Sequence, residues 1–293
     1  MRPNRMETMP FARTTLLLIA AAVLLGMLLW PRSGDDSFDR ILDADSIRIG
    51  YAIEPPYAFV DGDGEVMGES PEVARRILSR LGIERISWYQ MQFDELIPAL
   101  QTGRIDVIAA GLFVTPARAE RVLFSRKTFR AAPALLVPDT NPHGLASLLD
   151  LQRHPELKIA VLEGAVEESL LVDLHVSPSR LIRVPDARTG YAAVGSGLAD
   201  AMLLSAPSLR WCIRHGTCPH AALIQMSERS SEARCYGRGA FAFRRSDSGL
   251  AEAWNEAART YLGSTEHLDL LSGLGFGPAE SPATIDTEPD CDD

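Results

Sequence analysis

One pattern occurs twice in this chain: the end of a helix, then Gly-x-x-Asp, then a short apolar strand. The first copy ends at Asp106 and leads into residues 107–110, and the second ends at Asp200 and leads into residues 201–204. Strands alternate with amphipathic helices around each copy. This predicts an α/β fold with two similar lobes, each built on a wound, mostly parallel sheet. A cleft between two such lobes is a common place for a ligand.

The expected secondary structure follows from apolar periodicity and from turn residues. Lobe 1 is predicted to contain a hairpin at 57–67, helices at 70–81 and 94–101, and strands at 46–52, 86–91 and 107–110. Lobe 2 is predicted to contain strands at 157–162, 181–184 and 201–204 and a helix at 191–197. The chain is then expected to return to lobe 1 through a strand at 239–243, a helix at 249–261 and a segment at 268–276.

These elements divide the chain into lobes, connections and terminal segments. We expect a cytoplasmic region at 1–13, an apolar segment at 14–30, a linker at 31–44, lobe 1 at 45–138, lobe 2 at 139–237, the return segment of lobe 1 at 238–277 and an acidic tail at 278–293. The tail is predicted to be disordered, because it is acidic and shows no periodicity.

The apolar segment at 14–30 follows Arg2, Arg5 and Arg13, and at ~1.5 Å per residue it would reach about 25 Å. Its positive flank belongs on the cytoplasmic side, so the rest of the chain is expected in the periplasm or outside the cell. The segment is either a cleaved signal peptide or a retained anchor in the inner membrane. We favour the anchor, because residues 30–36 offer no small-x-small cleavage site.

Charge and histidine spacing exclude several classes of partner. The formal net charge is −10 and the basic residues are scattered, so no cationic stripe is available to face nucleic acid. The six histidines lie far apart in the sequence, which predicts no metal site, and no cofactor is expected.

The cysteines Cys212, Cys218, Cys235 and Cys291 form no CxxC motif, so neither a redox nor a zinc-ribbon role is expected. In an exported chain, Cys212 can pair with Cys218, or either can pair with Cys235. Cys291 is expected to be unpaired.

The strongest indication of a binding site follows the third strand of lobe 1. Gly111 breaks that strand, Thr115 is suited to cap a helix, and Pro116 suits the first helical position. This arrangement points backbone N–H groups at one place and favours an anion there. Arg118 lies in the same first turn, and its guanidinium can hold a carboxylate through two hydrogen bonds. Phe113 supplies an aromatic wall beside it.

Further candidate residues follow the neighbouring strands. Glu54 and Tyr57 lie in a proline-containing loop after the first strand of lobe 1, and Phe93 follows the second. In wound α/β sheets, functional groups gather outside the carboxyl ends of the strands. We therefore expect these three side chains to meet Arg118 at one sheet edge.

Short motifs along residues 47–276 carry a family resemblance. The most specific are Thr115-x-x-Arg118 followed by Val122-Leu123-Phe124-Ser125, with support from Gly103-x-x-Asp106. On these motifs the chain resembles the type II extracellular solute-binding proteins, which deliver polar amino acids and related solutes to ABC importers. It most resembles the ectoine/hydroxyectoine-binding branch, through Glu54-Pro-Pro-Tyr57-Ala, Gly68-Glu69-Ser70-Pro71-Glu72, Ala109-Ala-Gly with Thr115-Pro116, Gly164-x-Val166-Glu167 and Val184-Pro185-Asp186-Ala187-x-x-Gly190.

The resemblance implies a periplasmic-binding-protein-like fold with a hinge and a role in binding, without catalytic residues. In the ectoine branch, an acid and a cage of aromatic rings hold the ligand's delocalised cation, and an arginine holds its carboxylate. Carried onto this chain, the acid is Glu54, the arginine is Arg118, and the cage is Tyr57, Phe93 and Phe113. The implied ligand is a small zwitterion, which lobe closure traps and an ABC permease in the inner membrane receives.

Two departures from the family pattern leave the ligand open. Amino-acid binders of the family carry an aspartate, as counterion to the α-ammonium, where this chain has Ser205. Many relatives also have threonine where this chain has Ala165 and Val166. A hydroxyl suits a compact ammonium poorly, whereas aromatic rings suit a diffuse cation. We therefore expect an ectoine-like solute, with a polar amino acid as the alternative.

Two other functions compete with binding for import. Some relatives of this fold act as dehydratases on cyclic carboxylic acids, which requires a general acid or base in lobe 2. Glu163, Glu167 and Asp186 are the candidates, and we expect Glu167 to be solvated or capping in a first helical turn. The other function is a sensor that presents its ligand-bound form to a membrane partner.

Overall fold

The computed structural model describes residues 35–225 and 237–282. The predicted cytoplasmic region and apolar segment, Cys235, Cys291 and the last part of the predicted tail lie outside these residues. Within the two described ranges, no helix has both the length and the apolar character that a membrane span requires.

Two five-stranded sheets form the framework, one in each lobe. Lobe 1 contains, in spatial order, β4 (Arg85–Gln90), β1 (Ser46–Tyr51), β5 (Val107–Ile108), β14 (Ala242–Arg244) and β6 (Val122–Phe124). Lobe 2 contains β10 (Leu181–Val184), β9 (Ile159–Leu162), β11 (Ala201–Ser205), β8 (Pro133–Pro138) and β12 (Ala221–Gln225). In each sheet the first three strands are parallel, and the fourth is antiparallel to both of its neighbours. The predicted α/β class with two wound, mostly parallel lobes is confirmed.

Helices cover the faces of both sheets. They are α1 (Ser37–Ala44), α2 (Glu69–Leu81), α3 (Leu96–Gln101), α4 (Pro116–Ala119), α5 (Asp150–Arg153), α6 (Val166–Asp173), α7 (Ala187–Gly195), α8 (Ala206–Arg214), α9 (Ser248–Ala258) and α10 (Thr265–Gly273). Short strands form a hairpin, β2 (Phe59–Val60) with β3 (Val66–Met67), and a ribbon between the lobes, β7 (Phe129–Arg130) with β13 (Arg238–Gly239). Single 3₁₀ turns lie at Phe93–Glu95, Pro178–Arg180 and Pro278–Glu280.

The core of lobe 1 holds the binding edge of its sheet in place. Ile47 and Ile49 of β1 pack against Ile77 of α2 and Trp254 of α9, and none of these four side chains is exposed. Burial of each such side chain contributes about 1.5–3 kcal/mol. This packing therefore holds in place the strand ends that carry the candidate site.

Three of the expected boundaries differ. The tail does not begin at 278, because Pro278–Glu280 form a 3₁₀ turn in which Glu280 is buried and paired with Arg210. Residues 37–44 form α1, with Ile41 buried in the core of lobe 1, where the sequence led us to expect a linker. Strand β8 belongs to the sheet of lobe 2, so the first part of lobe 1 ends before Pro133 and not at 138. The five residues 133–137 of β8 are all buried, so the strand shows none of the alternation that marks a half-exposed strand.

Candidate ligand-binding site

A narrow cleft lies between the lobes at the carboxyl ends of the parallel strands. The predicted residues in its lining are Glu54, Tyr57, Phe93, Gly111, Phe113 and Arg118, and lobe 2 adds Ala165, Val166 and Glu167. The structure thus brings most of the predicted residues to one place. Thr115 and Ser205 are not in the lining; they hydrogen-bond to Arg118 and Ser208, respectively.

Gly111 positions the loop that follows β5. Its φ angle is 61°, and an added Cβ would lie 2.5 Å from the ring of Tyr57. The Gly111 N–H donates to Ser70 Oγ (3.0 Å), and Ser70 donates to Glu69 Oε2 (2.7 Å). Glycine is therefore required for this turn, which brings Phe113 against Tyr57.

Arg118 connects the two lobes. Thr115 caps α4 by accepting a hydrogen bond from the backbone N–H of Arg118 (3.2 Å), and Pro116 occupies the first helical turn. The guanidinium donates to the carbonyl oxygens of Phe113 in lobe 1 (2.8 Å) and Gly164 in lobe 2 (2.9 Å). It also lies over the ring of Phe93, 5.5 Å from the centroid.

The guanidinium of Arg118 stays charged at neutral pH despite its surroundings. Burial lowers its pKa to about 10, and the nearby Glu167 opposes this change. A partly desolvated guanidinium with remaining N–H donors suits a ligand carboxylate.

Glu54 is a buried acid in the lining of the same cleft, with 7% of its surface exposed. Ser208 Oγ of α8 donates to Glu54 Oε1 (2.7 Å), and Ser205 Oγ donates to Ser208 Oγ (3.1 Å). Burial raises the pKa of Glu54 to about 8 and the charge of Glu167 adds to this, whereas the bonds from Ser208 and Ser205 oppose it. A cation placed beside Glu54 would favour its ionised form.

The aromatic side chains serve the core and the cleft at once. Tyr57 stacks on Phe129 with centroids 4.7 Å apart, and the edges of Phe113 and Phe276 meet it at 6.2 Å and 5.7 Å. Phe93 contacts the cation of Arg118 instead of joining this cluster. Tyr57 and Phe113 therefore form a rigid wall, while Phe93 orients Arg118.

Glu167 overturns one expectation from the sequence. It is not a solvated residue: it lines the cleft with 4% of its surface exposed. Burial raises its pKa to about 7, opposed by a hydrogen bond from its own backbone N–H and by Arg118. It follows strand β9 in lobe 2, so the edge rule that pointed to Glu54 in lobe 1 also applied here.

The other two acids proposed for lobe 2 lie away from the cleft. Glu163 is exposed, and Asp186 caps α7 by accepting from Thr189 N–H (2.7 Å). Among residues 35–225 and 237–282, no group of three or more His, Cys, Asp or Glu side chains is arranged to hold a metal ion.

Further contacts join the lobes outside the cleft, mainly through α8. Arg210 Nη2 donates to Glu280 Oε1 (2.7 Å), and the ring of Trp211 lies 5.1 Å from that of Phe59 in the hairpin of lobe 1. A disulfide between Cys212 and Cys218 ties the end of the same helix, which resolves the pairing that the sequence left open. The structure is therefore a closed arrangement of the lobes.

Comparisons with known proteins agree with this geometry. A model of the bacterial extracellular solute-binding proteins, family 3, matches residues 47–268. The chain is 29% identical over 284 residues to a probable amino-acid ABC transporter periplasmic-binding protein, y4tE, of Sinorhizobium fredii (strain NBRC 101917 / NGR234), covering 94% of this chain and 91% of that one.

Solved structures share the fold. The crystal structure of EhuB in complex with hydroxyectoine matches with a TM-score of 0.78 and 31% identity, covering 87% of this chain and 96% of that one. The ancestral amino acid-binding protein AncCDT-1, a precursor of cyclohexadienyl dehydratase, matches with a TM-score of 0.72 and 23% identity, covering 81% and 99%, which shows the fold alone. The resemblance read from the motifs is confirmed: the protein belongs to family 3 of the bacterial extracellular solute-binding proteins.

Proposed function

We propose that this protein is the periplasmic binding component of an ABC importer and closes its lobes on a small zwitterion of the ectoine type. One observation carries the proposal: Glu54 and Arg118 line the same closed cleft, with aromatic walls beside them. Opposite charges at two places in a desolvated cleft match a ligand with a carboxylate and a cation.

The cation half of the proposal rests on the surroundings of Glu54. Lobe 2 bonds to Glu54 through hydroxyls, with Ser208 in contact and Ser205 behind it, and Ser205 stands where amino-acid binders of the family carry an aspartate. Tyr57 and Phe113 present ring surface near it, which favours a diffuse, weakly hydrated cation over a compact ammonium. EhuB, which binds hydroxyectoine, supports this choice, whereas the name of y4tE supports an amino acid.

Import, with no covalent chemistry, is the proposed use of the site. The ligand would stabilise the closed lobes through contacts that only the closed state makes. We further propose that an inner-membrane permease receives the ligand and that residues 14–30 hold the protein at that membrane. Fractionation of the full-length protein with membranes, resistant to carbonate extraction, is the expected result, and a mature amino terminus between residues 31 and 38 would contradict it.

A binding screen tests the ligand class. Ectoine and hydroxyectoine are expected to raise the thermal unfolding temperature more than any of the twenty amino acids does. Titration calorimetry on the Glu54→Gln variant should show weaker binding by roughly ten- to a hundredfold, because a charge-assisted bond is lost. Glu65→Gln, an exposed acid in the hairpin, is the matched control and should bind normally.

Two results would count against the proposal in different ways. Stabilisation by an α-amino acid alone would replace the ectoine-type ligand with the amino-acid alternative and leave the binding role in place. Turnover of a cyclic carboxylic acid such as prephenate would replace binding with catalysis.

A further inference from the structure

Glu167 places a second buried carboxyl group in the cleft, and a zwitterion leaves this group without an opposite charge. In the proposed function Glu54 faces the ligand's cation and Arg118 its carboxylate, so the two ligand charges are already matched. An ionised Glu167 would be an extra anion in a site that is closed to water. Such a group becomes neutral more readily than it remains buried and charged.

Glu167 can also supply a side-chain hydrogen-bond donor, which the preceding residues of its segment lack. Ala165 and Val166 offer no side-chain donor to a carboxylate. The carbonyl of Gly164, which accepts from Arg118, cannot donate either. Glu167 follows directly in the first turn of α6, with its side chain in the cleft lining. A carboxyl group that keeps its proton is a hydrogen-bond donor.

We propose that Glu167 acts in its protonated form and donates a hydrogen bond to the ligand carboxylate that Arg118 holds. This rests on the proposed function only in requiring a ligand with a carboxylate. Glu167 is then a specificity residue, which replaces a hydroxyl donor and makes binding sensitive to pH.

The groups that face Glu167 act on its protonation in opposite directions: the carboxyl of Glu54 favours the protonated form, whereas the guanidinium of Arg118 and the backbone N–H of Glu167 favour the ionised form. From lobe 1 these are the carboxyl of Glu54, the hydroxyl of Tyr57 and the guanidinium of Arg118. On its own helix, Glu168 is bound to Arg183 (2.6 Å) and to the N–H of Gly164 (3.2 Å). Burial is the largest cause of the raised pKa of Glu167, at about 7, and a ligand carboxylate held by Arg118 would raise it further.

Linkage turns this into a measurable pH dependence. We expect Glu167 to be solvated when the lobes are open, with an ordinary pKa of about 4.3, so that closure on the ligand takes up a proton. As pH rises from roughly 5 to 7, affinity for the ligand should fall by up to about tenfold per pH unit. In this range Glu167 is ionised in the open form and protonated in the closed form. We expect the ligand's cation to keep Glu54 ionised in the closed form, so that Glu54 adds no proton uptake.

Titration calorimetry in buffers with different ionisation enthalpies tests the proposal. The ligands are ectoine, hydroxyectoine, L-arginine and L-glutamine, all of which carry one carboxylate, so whichever binds reports on Glu167. At pH 6 the unaltered protein should take up about one proton on binding.

Three variants separate the proton from the hydrogen bond. Glu167→Gln keeps a donor without a titrating group, so it should bind with constant affinity from pH 5.5 to 7.5 and take up no proton. Glu167→Ala should also be independent of pH and bind about five- to tenfold more weakly than Glu167→Gln. Glu163→Gln, the exposed acid near the same turn, should retain the full pH dependence.

The outcomes distinguish this inference from the proposed function. Binding of an amino acid alone would refute the ectoine-type ligand and still test Glu167. Absence of proton uptake, or uptake that survives in Glu167→Gln, would overturn the inference whatever the ligand. Binding of the dibasic ligand L-arginine with no proton uptake would make Glu167 a counterion instead, and failure of every ligand to bind would overturn both proposals.

Discussion

The ion pair between Arg210 and Glu280 should set how tightly every ligand is bound without selecting among them. Arg210 lies on α8 of lobe 2, and Glu280 lies in the last 3₁₀ turn, beyond the α10 segment that packs on lobe 1. Neither residue lines the cleft. We expect this pair to break when the lobes open, so its energy should add to closure and not to recognition.

The structure gives the expected size of this effect. The side chains are 25% and 11% exposed, and Nη2 of Arg210 lies 2.7 Å from Oε1 of Glu280. A pair that is partly shielded from water contributes about 1 kcal/mol, near the upper end for exposed pairs. Loss of the pair in Arg210→Met should therefore weaken binding about fivefold, and equally for each ligand.

Calorimetry with two ligands of different charge would measure this. Arginine is the residue to replace, because Glu280 also accepts from the N–H of Gly277 (2.7 Å) and so holds its own turn. Arg188→Met, an exposed arginine on α7, is the matched control and should leave affinity unchanged. The reasoning fails if Arg210→Met changes the ratio of the two affinities, or leaves both as they were.

Three other predictions follow from contacts within the lobes. Arg118→Lys keeps a positive charge but loses the planar guanidinium, so affinity for any carboxylate ligand should fall roughly ten- to a hundredfold. The unfolding temperature of the unliganded protein should be nearly unchanged. Normal binding by calorimetry would refute the role of Arg118. Burial raises the pKa of Glu69 to about 7. The stability that neutral Glu69 contributes is therefore present below about pH 4.5 and is lost as pH rises towards 7. Urea unfolding should show a loss on the order of 3 kcal/mol, which should largely disappear in Glu69→Gln. Replacement of both Cys212 and Cys218 by alanine should cost roughly 2 kcal/mol, or about 4–8 °C in unfolding temperature, and a scan with no shift would contradict the stabilising role of the disulfide.

The lobe 1 half of the candidate site was predictable from sequence because it depends on local order. Glu54, Phe93 and Phe113 each follow a strand of one parallel sheet, and the carboxyl ends of such strands meet at one edge. Thr115 and Pro116 mark the start of α4, and the structure shows that start as expected.

The part of the candidate site that lobe 2 contributes depends on closure of the lobes, which no local sequence pattern predicts. Ser208 reaches Glu54 only across the cleft, 154 residues away in sequence, and nothing in the order of residues around it marks that contact. Strand β8 was assigned to the wrong lobe because its residues are buried on both faces and show no alternation. Glu167 was named from the sequence but was expected to be solvated, because its environment comes from lobe 1.

The position of β14 in the sheet of lobe 1 implies an order of assembly. All five strands of lobe 2 lie between residues 133 and 225, so this lobe can complete its sheet from one continuous stretch of chain. Lobe 1 cannot, because β14 pairs with both β5 and β6 and is made only after the whole of lobe 2. Until Ala242–Arg244 arrives, β5 and β6 each present an unpaired edge, the kind of surface that recruits other chains. The interval between synthesis of β6 and insertion of β14 is therefore when this protein is most exposed to aggregation and to proteolysis.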